Sequence, residues 1–293
     1  MSIEIPDRWL GKLVEGALER ELQSGKNVKS KNVPTTPAPS KVIQPTTVIT
    51  DPENWIVLEG RTHGAYSYPD LMVSMHRLGL TPQVESVAQA LGYTVQNTAR
   101  DKDGNEYIGN INWEEALKIN ASLGNLTLNP RQGLDFLIDM REAFSGKSKK
   151  NKKVLYDGNA KPLDLEVIKK VYNEIVQVRE PWRAEWLDAK FIEQGGVLSI
   201  HYGHKLTGTD LVPSNTEVRQ PHLMDNDYID LQSANNQGLP TKNSRTQTLY
   251  FWNPSNGTVA RFDAGSGGAV LSCYGGPADR VAGLGVRPAR EKN

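Results

Sequence analysis

Cysteine is almost missing from this chain: Cys273 is the only one in 293 residues. One thiol rules out an internal disulfide framework and any CxxC metal or redox motif. Ala269 and Leu271 alternate with it, so it reads as a small buried residue rather than a reactive thiol. Net charge is missing too. Lys plus Arg and Asp plus Glu both total 34, which offers no overall attraction to nucleic acid or to an anionic membrane. No apolar stretch approaches the ~18 residues of a membrane span. Met1 to Arg8 places acidic residues ahead of any apolar run, unlike a signal peptide. A soluble chain made in the cytoplasm is expected, with its final destination open.

Familiar catalytic signatures are also lacking. Ala264-Gly265-Ser266-Gly267-Gly268-Ala269 has neither the Gly-Lys-Ser/Thr ending of a P-loop nor dinucleotide-fold spacing, and no helix pattern follows it. Asp101, Asp103 and Asn105 imitate a calcium loop. Glu106 stands where that loop requires glycine, and Asn112 where it requires a bidentate glutamate. His201 and His204 form an HxxH pair outside a helix, with His222 further on, and read as structural or surface histidines. Asp225, Asp227 and Asp230 read first as turn residues. A cation site or an acid/base pair is the second reading. No metal and no cofactor is expected.

Periodicity divides the chain into three parts. Trp9, Leu10, Leu13, Val14, Ala17, Leu18 and Leu22 recur at helical spacing after Asp7, which predicts an amphipathic helix in 1–24. Residues 25–50, with Pro34, Pro37, Pro39 and Pro45, read as an extended linker. From Asp51 to the end the composition is globular. Trp55 to Leu58 predicts a strand, and Leu71 to Leu80 and Gln83 to Leu91 predict helices. Asn97 to Ile108 predicts a hairpin turning at Asp103-Gly104. Asn112 caps a helix that ends at Gly124, and helices follow over Pro130 to Phe144 and Leu163 to Val178. Lys147 to Lys153 is a basic run without interleaved aromatics, read as a solvated loop. Beyond Val197 the pattern is short strands and turns.

The C-terminal stretch is the most informative. Ala264, Ser266, Ala269, Leu271 and Cys273 are small or apolar and suit the inside of a strand pair. Asp263, Gly265, Gly267, Val270, Ser272 and Tyr274 interleave with them, and Gly268 beside Gly267 predicts a bulge or turn. This outward set has no chemical theme, whereas a solvent face is usually rich in Lys and Glu. Lys, Glu, Gln, Met and Trp are all absent from Ala260 through Leu284.

The segment resembles the variable proteins of diversity-generating retroelements, in particular the archaeal type with a C-type lectin fold. In that family a reverse transcriptase copies a template with errors at adenines, so Asn codons become randomised. The residues then reachable exclude Lys, Glu, Gln, Met and Trp. The resemblance implies variable, ligand-binding positions at Asp263, Gly265, Gly267, Gly268, Val270, Ser272, Tyr274, Gly276, Asp279 and Val281. It implies a constant frame of Arg261-Phe262, Ala264, Ser266, Ala269, Leu271, Cys273, Pro277-Ala278 and Arg280. The closing Gly283-Leu284-Gly285-Val286-Arg287-Pro288 resembles the Gly-Phe-Arg end of formylglycine-generating-enzyme-like lectin folds, with Val286 in place of Phe. Upstream, Ile111 to Ala116 with Leu123-Gly124, Leu128 and Pro130 is similar to the helix pair of that fold.

The implied architecture is α+β: a C-type lectin fold of short antiparallel strands with two or more flanking helices, over 51–293, its variable region at about 261–283. The chain departs from the enzyme branch, which uses a pair of cysteines. It also lacks the Glu-Pro-Asn or Gln-Pro-Asp motif of calcium-dependent sugar binding; Gln220-Pro221-His222 is a near miss. The implied function is binding of a protein or cell-surface ligand, with Tyr274 as anchor, Asp263 and Asp279 as acids, and Arg280 as their fixed counter-charge. The N-terminal segment would tether the module in an oligomer or larger assembly. The alternative is an enzyme, either formylglycine-generating or a hydrolase using Asp225, Asp227 and His222.

Overall fold

The computed structural model describes residues 51–145, 153–245 and 249–292, all within the unit formed by residues 43–293. The expected N-terminal helix, the linker and positions 147–152 of the basic run lie outside the described residues. Lys153, the last of that run, pairs with Glu59 and Asp139.

Strand β1 (Trp55–Leu58) is an apolar run buried along its whole length. It pairs with β4 (Leu71–Ser74), which pairs in turn with β15 (Ala289–Glu291) from the far end of the chain. The helix expected over 71–80 is therefore a strand followed by irregular chain. Leu71 and Val73 pack into the main core, while Met72 packs on the opposite side with Trp55 and Val57. A strand buried on both faces is continuously apolar, and periodicity alone cannot separate it from a helix. Between β1 and β4, β2 (Arg61–His63) and β3 (Tyr66–Tyr68) form a hairpin.

The other helices lie where capping chemistry puts them. Helix α1 (Pro82–Ala90) starts on the Thr81 side chain with Pro82 in its first turn. The β5 (Asn97–Arg100) and β6 (Glu106–Ile108) hairpin follows. In α2 (Trp113–Ser122), Asn112 Oδ1 accepts from Glu115 N at 2.9 Å and Glu115 Oε2 accepts from Asn112 N at 3.1 Å. That reciprocal box satisfies two otherwise orphaned donors. Gly124, at φ 75°, follows its end. Helices α3 (Pro130–Ser145) and α4 (Leu165–Val176) complete the set. Among the described residues, no helix is long and apolar enough to cross a membrane.

The larger sheet runs β10 (Asp227–Tyr228), β11 (Tyr250–Trp252), β13 (Gly268–Gly275), β12 (Val259–Gly265), β7 (Arg183–Gln194), β8 (Val197–Thr207), β9 (Asp210–Val218). Strand β14 (Leu284–Val286) pairs in parallel with the first half of β7, and β8 pairs antiparallel with its second half. The architecture is thus α+β with predominantly antiparallel sheets. The strand-rich part was expected to begin near Val197 and to consist of short strands. Strand β7 instead starts at Arg183 and spans 12 residues, and β8 spans 11.

Both faces of the sheet are covered around β7. One core holds Leu187, Ala189, Phe191, Ala260, Phe262, Leu271 and Cys273 against α3 and α4. Gly133 makes this contact close: a Cβ there would stand 2.9 Å from the Phe262 ring. The other core holds Ala184, Trp186, Val259, Leu284 and Val286 against α1 and α2. Arg287 closes the chain chemically. Its guanidinium holds Glu185 through two nitrogens, the shorter contact 2.8 Å, and donates to the carbonyls of Ser74 and Met75. Arg77 engages Glu185 and Glu174 from the other side. These charges are buried and mutually paired, as buried charges must be.

Candidate functional site

Strands β12 and β13 form a hairpin in which Gly265 opposes Gly268 across a two-residue loop, Ser266-Gly267. Pleating sends alternate residues to opposite faces. Phe262, Ala264, Ala269, Leu271 and Cys273 are buried on the inner side, and burial pushes the Cys273 thiol well above its usual range. Ser266, expected inside, is exposed in the turn. The glycine pair thus marks a turn, and the strand's bulge falls instead between Val259 and Arg261.

On the outer side, register sets two rows. Tyr250 lies beside Val270 and Val270 beside Asp263; Trp252 lies beside Ser272 and Ser272 beside Arg261. Tyr274 extends the outer side of β13 and is 58% exposed, and Trp252 is 44% exposed. Tyr228, Tyr250 and Trp252 follow one another with centroids 5.1 and 5.9 Å apart. Val270 is half-buried, and Val281 in the following loop is exposed.

Three expected positions do not behave as open surface; Asp263 is one, its side chain only 12% exposed. Ser272 is only 5% exposed, because Arg261 and Trp252 flank it on the same face. Gly265 is buried, and a Cβ there would come within 2.7 Å of Trp182 Cδ1, so any side chain must displace that ring. Gly276 is restricted in a milder way: a Cβ would meet Asp279 Oδ1 at 2.6 Å. Gly268 has open space but φ +120°, which strains any other residue. Gly267 faces open space.

The charge arrangement also differs from expectation. Arg280 does not neutralise Asp263 or Asp279; it pairs with Glu115 and donates to the Asn110 carbonyl. Arg261 takes that role. Its Nε lies 3.0 Å from Asp263 Oδ1 and its Nη1 2.8 Å from Asp279 Oδ2. Its guanidinium sits over the rings of Trp182 and Trp186 at 5.7 and 5.8 Å. Asp279 Oδ2 also accepts from Gly276 N. Burial pushes the Asp263 carboxyl up to about 6, more than Arg261 pulls it down, and Asp279 pushes the same way as burial. The Arg261 signal was available in the sequence: two residues before Asp263 on a strand is the same face. Trp182 and Trp252 are remote in sequence and were missed, although the alternation of Tyr250-Phe251-Trp252 around buried Phe251 marks that strand.

The loop from Gly276 to Gly283 is held by backbone bonds, Trp113 N to Pro277 O and Asn110 N to Val281 O among them. The capped start of α2 therefore positions the loop at the edge of the hairpin face.

The remaining candidates do not converge. His204 pairs with Asp188 against Trp113, and His201 stands opposite Lys190 of β7. His222 contacts the Gln220 carbonyl and Asn253 Oδ1; neither Asp225 nor Asp227 is its partner. Asp230 accepts from Gln232 N and Ser233 Oγ, and Asp101 accepts from Asp103 N and Asn105 N. Both act as turn residues. Among the described residues, no three His, Cys, Asp or Glu side chains gather as a metal site requires. Comparison with family models, curated proteins and solved structures found no match.

Proposed function

We propose that this chain is a ligand-binding protein with a C-type lectin-like fold, whose outer β12–β13 face and adjoining loop are diversified by a retroelement to recognise varying partners. The observation that carries the reading is the division within one hairpin. Its inner residues Phe262, Ala264, Ala269, Leu271 and Cys273 are buried, while Gly267, Val270 and Tyr274 reach solvent beside exposed Trp252. Substitutions at solvent positions usually change stability by about 0.5 kcal/mol or less, whereas core truncations cost several. A hairpin divided in this way tolerates new outer residues without losing its frame. Tyr274 is the natural anchor of this variant, since exposed aromatic side chains supply contact area at low entropic cost.

Two experiments test the reading. Exchanging Gly267, Val270, Tyr274 and Val281 together should leave the melting temperature within a few degrees while changing which ligand is retained. Loss of folding in that variant would overturn it. In the source genome, a near-copy of the DNA encoding residues 260–290 should lie beside a reverse transcriptase gene and differ only at adenines. Differences spread over the codons of Leu271 and Cys273 would be the contrary result.

A further inference from the structure

We propose that the outer hairpin face takes a cationic side chain, an arginine or lysine of a protein partner, between Trp252 and Tyr274 over Ser272. This inference rests on the binding reading and names the chemistry of the partner for this variant. The first support is the charge count. Asp263 and Asp279 share a single guanidinium, that of Arg261. Arg280, the segment's other cation, is engaged by Glu115. The face is therefore one positive charge short.

The second support is the burial of Asp263. The Asp263 side chain is 12% exposed, and Arg261 Nε, 3.0 and 3.1 Å from its two oxygens, belongs to the guanidinium that Asp279 also engages through Nη1. A cation brought near this shared pair by a partner relieves the sharing. The raised pKa of Asp263 agrees with a carboxylate whose burial is incompletely compensated.

The third support is aromatic. The face already houses one guanidinium over Trp182 and Trp186. Across Ser272 from Arg261 stands Trp252, and Tyr274 follows Ser272 two residues along β13; both are exposed. A cation placed over an aromatic face gains attraction that grows as water is excluded. Acidic residues and exposed aromatics on one face together favour Arg or Lys over acidic or purely apolar partner residues.

A library of randomised twelve-residue peptides, selected on the full chain, tests this. Selected sequences should be enriched roughly threefold or more in Arg and Lys. Replacing the critical arginine by citrulline, which keeps shape and removes charge, should weaken binding by about tenfold or more. Asp263→Asn combined with Asp279→Asn, and separately Trp252→Ala, should weaken it by a similar factor. If the double variant does not fold, the citrulline exchange decides from the ligand side. Binders without basic residues, or binders indifferent to citrulline, overturn this inference and leave the binding reading standing. A library that gives no binder to this face overturns both.

Discussion

Replacing Asp263 by Asn should stabilise the protein at neutral pH and do little at pH 4. In the folded chain burial lifts this carboxyl to about 6 from an ordinary 3.8, with Arg261 opposing the shift and Asp279 adding to it. Between those two values the folded state binds more protons than the unfolded state. Stability therefore falls as pH rises through the window, and the penalty is complete above the folded pKa. Two units at ~1.4 kcal/mol each set a ceiling of ~3 kcal/mol. The side chain keeps 12% exposure and its surroundings can relax, so ~1–3 kcal/mol is the working range. Asparagine keeps the shape and an oxygen for Arg261 but never ionises. Urea unfolding of both proteins from pH 4 to pH 7.5 is the assay. Subtracting one from the other removes every titration they share. The variant's advantage should grow between about pH 4 and pH 6 and then level. A flat difference, or one that shrinks with pH, would refute the account of Asp263 as a carboxylate ionised against its surroundings.

Three further outcomes follow from the same structure. Leu271→Ala should cost ~2–5 kcal/mol in urea unfolding, because Leu271 is fully buried, and Tyr274→Ala should stay within about 0.5 kcal/mol; similar losses at the two sites would contradict the division of the hairpin. Glu185→Ala should cost ~3–5 kcal/mol by leaving Arg287 and Arg77 buried without their shared partner, and a loss under about 1 kcal/mol would show the clamp to be dispensable. Asp135 accepts from Tyr68, His63, Arg131 and Arg61. Burial alone would raise its carboxyl, but Arg131, Tyr68 and His63 together hold it below the ordinary value. Its contribution is complete above that ordinary value and is lost as pH falls through the folded one. Amide exchange in the β2–β3 hairpin should then accelerate in acid ahead of exchange in β7, and uniform protection would count against this.

Local chemistry was legible wherever it is self-contained. The capping box of Asn112 and Glu115, the stop at Gly124 and the hairpin of β5 and β6 need only a few adjacent residues, and all are present. So is the inner set of the last hairpin, apart from Ser266. What escaped was set by pairing across sequence. Leu71 to Ser74 becomes a strand because β1, close before it in the chain, and β15, from the far end, flank it. Ser272 is hidden by Trp252 and Arg261, neighbours only once the register is known. Arg280 was matched to the wrong acids for the same reason: nothing along the chain reveals that α2 brings Glu115 to it.

The corrected positions narrow what the proposed diversification can vary. Gly265 is held by Trp182, Ser272 lies beneath its flanking side chains, and Gly276 and Asp279 are tied to each other and to Arg261. Freedom is greatest at Gly267, Val270, Tyr274 and Val281, along the turn, the outer side of β13 and the loop pinned to α2. Trp252, Tyr250 and Tyr228 border those positions but belong to other strands, outside the segment that would be rewritten. On this reading recognition combines a constant aromatic margin, which supplies contact area in every variant, with a short changing row that selects among partners. Affinity would then depend on Trp252 whatever the variant, while specificity would follow the row. A set of variants differing only in that row should therefore lose binding together when Trp252 is truncated, each to its own ligand. Variants that kept their ligands after Trp252→Ala would place the whole of recognition in the changing residues.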